Sequence, residues 1–342
     1  MGLIHPENVD DWVRWRQRRM SPIRRIRGAF SSDPPPPVLT APTGDLDVLV
    51  SIQSTNASNV AALLDPLRSL ASARVGVLAE RAVEGLHDRR VTSDPVDSVE
   101  SLESRHGAIP VVVVPSGVAP AHRRAIEAAR RADGRVFVVQ HGLLTPFAPP
   151  LPRDCTLLAW SEADGEFWRA GRTDIDVRVV GSQLLWHAAR RTAATVEPSG
   201  RPTFLGQLHA AELGRGELAR VSFGFCRDHN AVYRPHPSEV DKVSRLQHAL
   251  WQRRGIDFDA SGIRLEDLAT PVAAIFSTGI LEAAAAGRPA WAYHPDPPPW
   301  VSEMWERYGL QRWGNEPTPP PPLPAVEPAV RVAEIVSSAI PV

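Results

Sequence analysis

Short apolar runs alternate with longer amphipathic stretches along the chain, and this alternation constrains the fold more than any other feature. Runs rich in Val and Leu are typical of strands buried on both faces, as in parallel sheets covered by helices. A first series of predicted strands occupies residues 46–52, 74–79, 109–114, 135–140, 156–160 and 177–180. The predicted fold class is therefore α/β, with a doubly wound, Rossmann-like sheet in this part of the chain.

A second α/β series follows a change in composition at residues 196–202, VEPSGRP. Its predicted strands are residues 203–208, 231–234, 272–277 and 289–293. We therefore predict two Rossmann-like domains, with a cleft between the carboxyl ends of their sheets. The predicted divisions are an N-terminal segment (1–44), a first domain (45–197), a second domain (198–315), and a Pro-rich connector with a C-terminal helix (316–342).

The N-terminal segment is basic and amphipathic. Residues 8–30 carry seven arginines, with Trp12 and Trp15 at helical spacing, and predict two short helices. Trp side chains opposite an Arg-rich face suit peripheral membrane contact, and they equally suit docking onto the body of the protein, which we slightly favour. Residues 31–44 are Pro-rich and predict a semi-rigid linker.

Composition excludes several classes of protein. The only lysine is Lys242, so a P-loop is absent, and Cys155 and Cys226 are too few for a disulfide framework or a cysteine zinc cluster. The net charge of −1 gives no reason to expect binding to nucleic acid. Neither a membrane-spanning apolar run nor the apolar core of a signal peptide is visible, so we expect a cytoplasmic location, at most at the inner face of a membrane.

Gln140, His141 and Gly142 follow the predicted strand 135–140. The carboxyl edge of an open α/β sheet faces the ligand crevice, so His141 is placed to act as a general base. Gly142 and the backbone at Gln140 would let a substrate approach closely. The alternative is a loop histidine with a purely structural role.

A second polar turn, residues 233–239 (YRPHPSE), follows another predicted strand. Two prolines fix the backbone on either side of His236, and Arg234 adds a planar cation. Together with free amides at the start of the next helix, Arg234 and His236 form a candidate phosphate site. A rigid turn with surface charge explains the same residues.

A third turn links a strand to a helix of small residues within 274–289. Ser277, Thr278 and Gly279 would offer hydroxyls and amides to a phosphate. Glu282, one turn into the helix, could accept hydrogen bonds from ribose hydroxyls. Its alternative role is to cap the helix start.

The order of these motifs, QHG, then RPHPSE, then STG-x-x-EAAAAGRP, resembles bacterial glycosyltransferases of the GT-B fold over roughly residues 45–310. It is most similar to the Kdo and sialic acid capsule enzymes and the CDP-glycerol glycerophosphotransferases. The resemblance implies that His141 is the base on the acceptor side, where Gln140 and Gly142 also lie. The residues implied to meet the donor phosphates are Arg234, His236, Ser277, Thr278 and Gly279, and Glu282 is implied to meet the ribose.

The chain departs from the glycerophosphotransferases at Leu143, where they usually have threonine, and at residues 276–279. These departures favour a nucleotide sugar as donor. We therefore expect a metal-independent glycosyltransferase that needs no cofactor and acts on a cell-envelope glycan or a lipid-linked acceptor. The alternatives are a polyol-phosphate transferase, a nucleotide-sugar epimerase, and a non-catalytic protein that binds membrane or nucleic acid through its N-terminal segment.

Overall fold

All ten predicted strands are present in the computed structural model. They belong to two sheets, one with mostly parallel and one with only parallel strand pairing. The structure describes residues 2–19, 35–70, 72–83, 91–191, 200–259 and 261–341. Residues 2–184 and 324–342 form one compact unit, and residues 185–323 form another. The chain is thus mixed α/β, and its arrangement as a two-domain GT-B protein stays a prediction.

The larger unit contains an eight-stranded sheet in the order β4-β1-β3-β2-β5-β6-β7-β8. Its strands are β1 (Val38–Ala41), β2 (Val48–Ser51), β3 (Val75–Ala79), β4 (Thr92–Pro95), β5 (Val111–Val114), β6 (Arg135–Val139), β7 (Thr156–Ala159) and β8 (Asp176–Val179). Strands β3, β2 and β5 to β8 pair in parallel, whereas β1 pairs antiparallel with both β3 and β4.

Within the predicted linker 31–44, residues Val38–Ala41 instead form strand β1, which corrects that prediction at these positions. The strand is only four residues long and directly follows four prolines. Its sequence therefore resembles the end of a proline-rich linker more than a strand. Leu39 and Ala41 are nevertheless buried in the core on one side of the sheet. The sheet therefore has an antiparallel edge that the Val-rich runs alone did not predict.

Helices cover both faces of this sheet. They are α1 (Val9–Arg19), a helical segment α2 (Ala57–Asn59, Val60–Leu64 and Asp65–Ser69), α3 (Val99–His106), α4 (Pro120–Arg131), α5 (Glu162–Arg169) and the C-terminal helix α11 (Pro328–Ser337). Helix α6 (Gln183–Arg190) begins in this unit, and its residues from Leu185 onward belong to the smaller one. Alternate residues of β5 lie in opposite cores, Val112 in one and Val113 in the other. This two-sided burial is why the strand is apolar throughout.

Helix α1 docks on the unit, so the docking interpretation holds for the described half of the N-terminal segment. Trp12 is buried and its indole N–H donates to the Phe147 carbonyl at 2.7 Å. Trp15 stacks on the Phe147 ring with 4.8 Å between centroids. The second helix predicted for residues 8–30 falls on residues 20–30, which lie outside the described part of the chain.

The C-terminal helix α11 packs on the same unit, where Val332, Ala333 and Val336 join its core. Gln183 fixes the start of this helix: its side-chain oxygen accepts from the Ala329 amide at 2.8 Å, and its amide donates to Glu327 at 2.6 Å. The stiff proline-rich connector thus ends in a helix that belongs to the core of the larger unit.

The smaller unit contains a fully parallel four-stranded sheet in the order β10-β9-β11-β12. Its strands are β9 (Thr203–Leu205), β10 (Val232–Arg234), β11 (Val272–Ala274) and β12 (Ala290–Ala292). Its helices are α7 (Arg215–Asp228), α8 (Lys242–Arg253), α9 (Gly279–Ala285) and α10 (Pro299–Arg307). Among the described residues, no helix of either unit is long and apolar enough to cross a bilayer.

Candidate functional site

The polar turns predicted from sequence lie at the carboxyl edges of the two sheets. In the larger unit, Gln140, His141 and Gly142 follow β6. In the smaller unit, β10 ends at Arg234 and His236 follows it, and residues 277–279 connect β11 to α9. Strand β9 separates β10 from β11, so the two predicted phosphate turns share one sheet edge without being neighbours.

His141 sits half-buried in a narrow recess of the larger unit. Its Nδ1 atom is buried and has no hydrogen-bond partner among the described residues. The recess, whose lining includes Gly181 and Pro328, has a volume of about 10 Å³, which is the room that a single water needs. Burial lowers the pKa of His141, so the ring is neutral near pH 7 and can accept a proton.

Gln140 holds this turn in place. Its side-chain amide donates to the Asp164 carboxylate at 3.0 Å and to the Gly142 carbonyl at 3.1 Å, and its oxygen accepts from the Trp160 amide at 2.8 Å. Both hydrogens and the oxygen of this side chain are therefore engaged within the protein. The Gln140 backbone is engaged as well, because its N–H donates to the Leu158 carbonyl and its carbonyl accepts from the Trp160 indole. Gln140 therefore fixes the turn that carries His141, and a part in the acceptor approach stays a prediction.

A buried Ser–His pair behind His141 was missed by the sequence analysis. Ser51, the last residue of β2, lies 2.9 Å from the Nδ1 atom of His122 in α4. His122 is only 1% exposed, and burial together with the neighbouring His141 lowers its pKa to about 4. The three residues end or follow three adjacent strands, β2, β5 and β6, so only the sheet order brings them together.

In the smaller unit, His236 is held in a defined orientation. Its Nδ1 accepts the Ser238 amide hydrogen at 3.1 Å, and its ring stacks on His209 with 3.7 Å between centroids. Burial and the neighbouring His209 lower the pKa of His236 to about 4. A neutral ring with Nδ1 occupied as acceptor must carry its proton on Nε2, where it is a hydrogen-bond donor.

Arg234 is already paired. Its guanidinium donates to the Asp259 carboxylate at 2.6 Å and to the Ile263 carbonyl. It thereby ties Asp259 and Ile263 to the end of β10. A phosphate contact by Arg234 stays a prediction, and it requires that the Asp259 pair be shared or opened.

The third turn, between β11 and α9, is held by a side chain from another part of the smaller unit. The Gln207 side-chain oxygen accepts from the amides of Ile275 and Phe276 at 3.1 and 3.0 Å. Ser277 Oγ accepts the Gly279 amide hydrogen at 3.1 Å, so the Gly279 amide is occupied, whereas the Ser277 hydroxyl hydrogen is not used in this bond.

The remaining residues of this turn are closely packed. Thr278 makes no side-chain cap at the start of α9. Glu282 is buried, at 7% exposure, which leaves little of its carboxylate for a ribose. Gly279 is required for packing, because an added Cβ would lie 2.5 Å from the Leu205 side chain.

Glu239, the last residue of the second motif, is a buried carboxylate that the sequence analysis also missed. It accepts hydrogen bonds from the Leu208 amide (2.9 Å), the Tyr233 hydroxyl (2.9 Å) and His248 Nε2 (3.0 Å). Burial alone would raise the pKa of Glu239, but these hydrogen bonds and the nearby His209 outweigh it and lower the pKa. A carboxylate that is ionised at neutral pH therefore lies 4.0 Å from His209 Nδ1 and close to His236.

His294 forms a second histidine–proline turn at the same edge, directly after β12. Its Nδ1 accepts from the Asp296 amide at 3.2 Å, as His236 does from Ser238, and its Nε2 lies 3.3 Å from the Glu217 carboxylate. Burial lowers the pKa of His294, while Glu217 opposes this. The repeated His-Pro pair after a strand was the signal that could have identified it.

Comparison with known proteins adds little to this geometry. No protein-family model matches the sequence, and no curated protein is significantly similar to it. The chain is similar to the crystal structure of a glycosyltransferase from Rickettsia africae ESF-5, at 12% identity and a TM-score of 0.40, over 86% of this chain and 92% of that one. A likeness at this TM-score does not establish a common fold.

Among the described residues, no group of three or more His, Cys, Asp or Glu side chains is arranged to hold a metal ion.

Proposed function

We propose that the chain is a metal-independent glycosyltransferase of the GT-B type. It transfers a sugar from a nucleotide-activated donor to a glycan or lipid-linked acceptor of the cell envelope. The observation that carries the proposal is the orientation of His236 at the carboxyl edge of the smaller sheet. Its Nδ1 is held by Ser238, so Nε2–H is available to donate to a phosphate oxygen.

The reaction balances without a metal or cofactor. The acceptor hydroxyl oxygen forms a bond to the anomeric carbon, and its proton goes to His141, which is neutral at pH 7. The bond between the anomeric carbon and the phosphate oxygen breaks, and the nucleotide leaves with the electron pair. Hydrogen bonds from His236 and from the Ser277 hydroxyl stabilise the charge that develops on this phosphate.

Nucleotide calorimetry on the full chain tests the donor site. The panel is CMP, CDP, UDP, GDP and dTDP, each measured with EDTA and with magnesium. We expect one nucleotide to bind equally in both conditions. His236→Phe keeps a ring that can stack on His209 but removes the Nε2 donor, so it should weaken binding by about 1–3 kcal/mol, or roughly 5- to 150-fold.

The matched control is the same substitution at His229, which follows the C-terminal end of α7. His229→Phe should leave the nucleotide affinity unchanged. His141→Ala should leave nucleotide affinity intact and reduce turnover about 100-fold or more. Binding that requires magnesium, or equal affinity in the His236 and wild-type proteins, would contradict the proposal. Conversion of a nucleotide sugar without an acceptor would indicate an epimerase.

A further inference from the structure

Helix α8 (Lys242–Arg253) carries apolar side chains on its solvent face. Val243, Leu246 and Leu250 are 48%, 74% and 46% exposed, and Val240 just before the helix is 68% exposed. Their spacing of three and four residues places the helical members in one row. We call Val240, Val243, Leu246 and Leu250 the α8 ridge.

The ridge is not the face that holds α8 on its unit. The buried residues of this helix are Ser244 and Trp251, and Trp251 packs against Tyr233 with 5.0 Å between ring centroids. A surface helix normally buries its apolar stripe and exposes its polar one. Helix α8 instead buries Trp251 on one side and exposes the aliphatic side chains of the α8 ridge on another. Such an exposed apolar row is typical of an interaction surface.

The charged side chains of α8 itself, and Arg254 directly after it, are all cations. Lys242, Arg245, Arg253 and Arg254 are exposed along α8 and at its end. Two carboxylates precede the helix: Glu239 is buried, and Asp241 caps the helix start by accepting from the Val243 and Ser244 amides at 3.0 and 3.2 Å. A cationic, aliphatic surface therefore stands out on a chain whose net charge is only −1.

We propose that the α8 ridge binds an anionic lipid surface. Leucine and valine side chains enter the boundary between headgroups and acyl chains, while arginine and lysine stay at the level of the phosphates. A second copy of the chain fits less well, because a two-fold contact would bring the same four cations face to face. The N-terminal segment is a weaker candidate, because Trp12 and Trp15 in its described half are engaged on the protein.

Membrane binding by α8 is independent of nucleotide binding, so either can fail without the other. The ridge begins at Val240, four residues after His236, and a bilayer on it would lie close to that turn.

Vesicle flotation of the full chain tests the proposal, with phosphatidylcholine vesicles containing either no or 30% phosphatidylglycerol. We expect binding only to the anionic vesicles, and weaker binding in high salt. Leu246→Ser with Leu250→Ser should weaken partitioning at least 10-fold. Lys242→Gln with Arg253→Gln should weaken it about 25-fold, because each charge contributes roughly 5-fold.

Two control variants alter the same residue types elsewhere. Leu323→Ser with Val326→Ser removes exposed apolar side chains of the connector, and Arg123→Gln removes an exposed cation of α4. Both should bind vesicles as the wild type does. The proposal is overturned if the wild-type chain does not float with anionic vesicles, or if both α8 double variants still do. It is also overturned if light scattering shows a dimer that the Leu246 and Leu250 substitutions dissociate.

Discussion

Replacing Glu239 tests whether a buried carboxylate holds the smaller unit together at its candidate site. Glu239→Ala leaves the Leu208 amide and the Tyr233 hydroxyl buried without an acceptor. Each unsatisfied buried donor costs about 1–3 kcal/mol, and the lost bond to His248 adds to this. We therefore expect a loss of about 3–6 kcal/mol, a large part of the 5–15 kcal/mol that stabilises a typical domain.

Glu239→Gln should cost less, about 1–2 kcal/mol. Its amide oxygen can still accept from Leu208, and the Tyr233 hydroxyl can turn to accept from the new amide nitrogen. Hydrogen exchange of the β9 and β10 amides is the assay, because it reports on the smaller unit separately from the larger one. A loss of 3 kcal/mol corresponds to exchange more than 100-fold faster.

The matched control for this series is Glu306→Ala in α10, where the side chain is exposed. It should change the stability by no more than about 0.5 kcal/mol. If Glu239→Ala loses less than about 1 kcal/mol, the carboxylate is not the centre of this hydrogen-bond network, and the reasoning is refuted.

Three further changes have defined outcomes. Gly206→Ala would place a Cβ 2.4 Å from the Tyr233 hydroxyl and should cost about 1–3 kcal/mol in urea unfolding, whereas Gly224→Ala, in open space on α7, should be neutral or stabilising. The pKa of His122 is about 4 in the folded chain against 6.5 normally, so the unfolded chain binds more protons between these values. His122 alone should therefore lower the stability by about 3 kcal/mol from pH 7 to pH 4, and His122→Gln should remove that part of the pH dependence. Gln183→Ala should speed hydrogen exchange in α11 at least 10-fold, because the helix start loses its cap; unchanged exchange would show that the cap is dispensable.

The apolar runs predicted the strands well because a strand buried on both faces has a signal that depends on local composition alone. Val111–Val114 is such a run, and the structure places it in the middle of its sheet. Strand β1 was not predicted, because it forms by antiparallel pairing with β3 and β4, and no local sequence pattern reveals that pairing.

The candidate site could be predicted only in part. The turns after β6, β10 and β11 were visible because polar residues, glycine and proline directly follow apolar runs. The partners of these turns were not visible, because Gln207, Asp259 and His122 reach them from distant parts of the sequence. Arg234 shows the consequence: its sequence context suggests a free cation, but the fold supplies Asp259 as its partner.

The most direct measurement of the central claim is a long-range proton–nitrogen correlation spectrum of the histidine rings, with and without the nucleotide that calorimetry selects. We predict that His236 is neutral at pH 7 with its proton on Nε2, because Nδ1 accepts from Ser238. Adding the nucleotide should shift the His236 Nε2 resonance and leave His229 unmoved. A protonated ring, a proton on Nδ1, or a His236 resonance that does not move at saturating nucleotide would contradict the proposal.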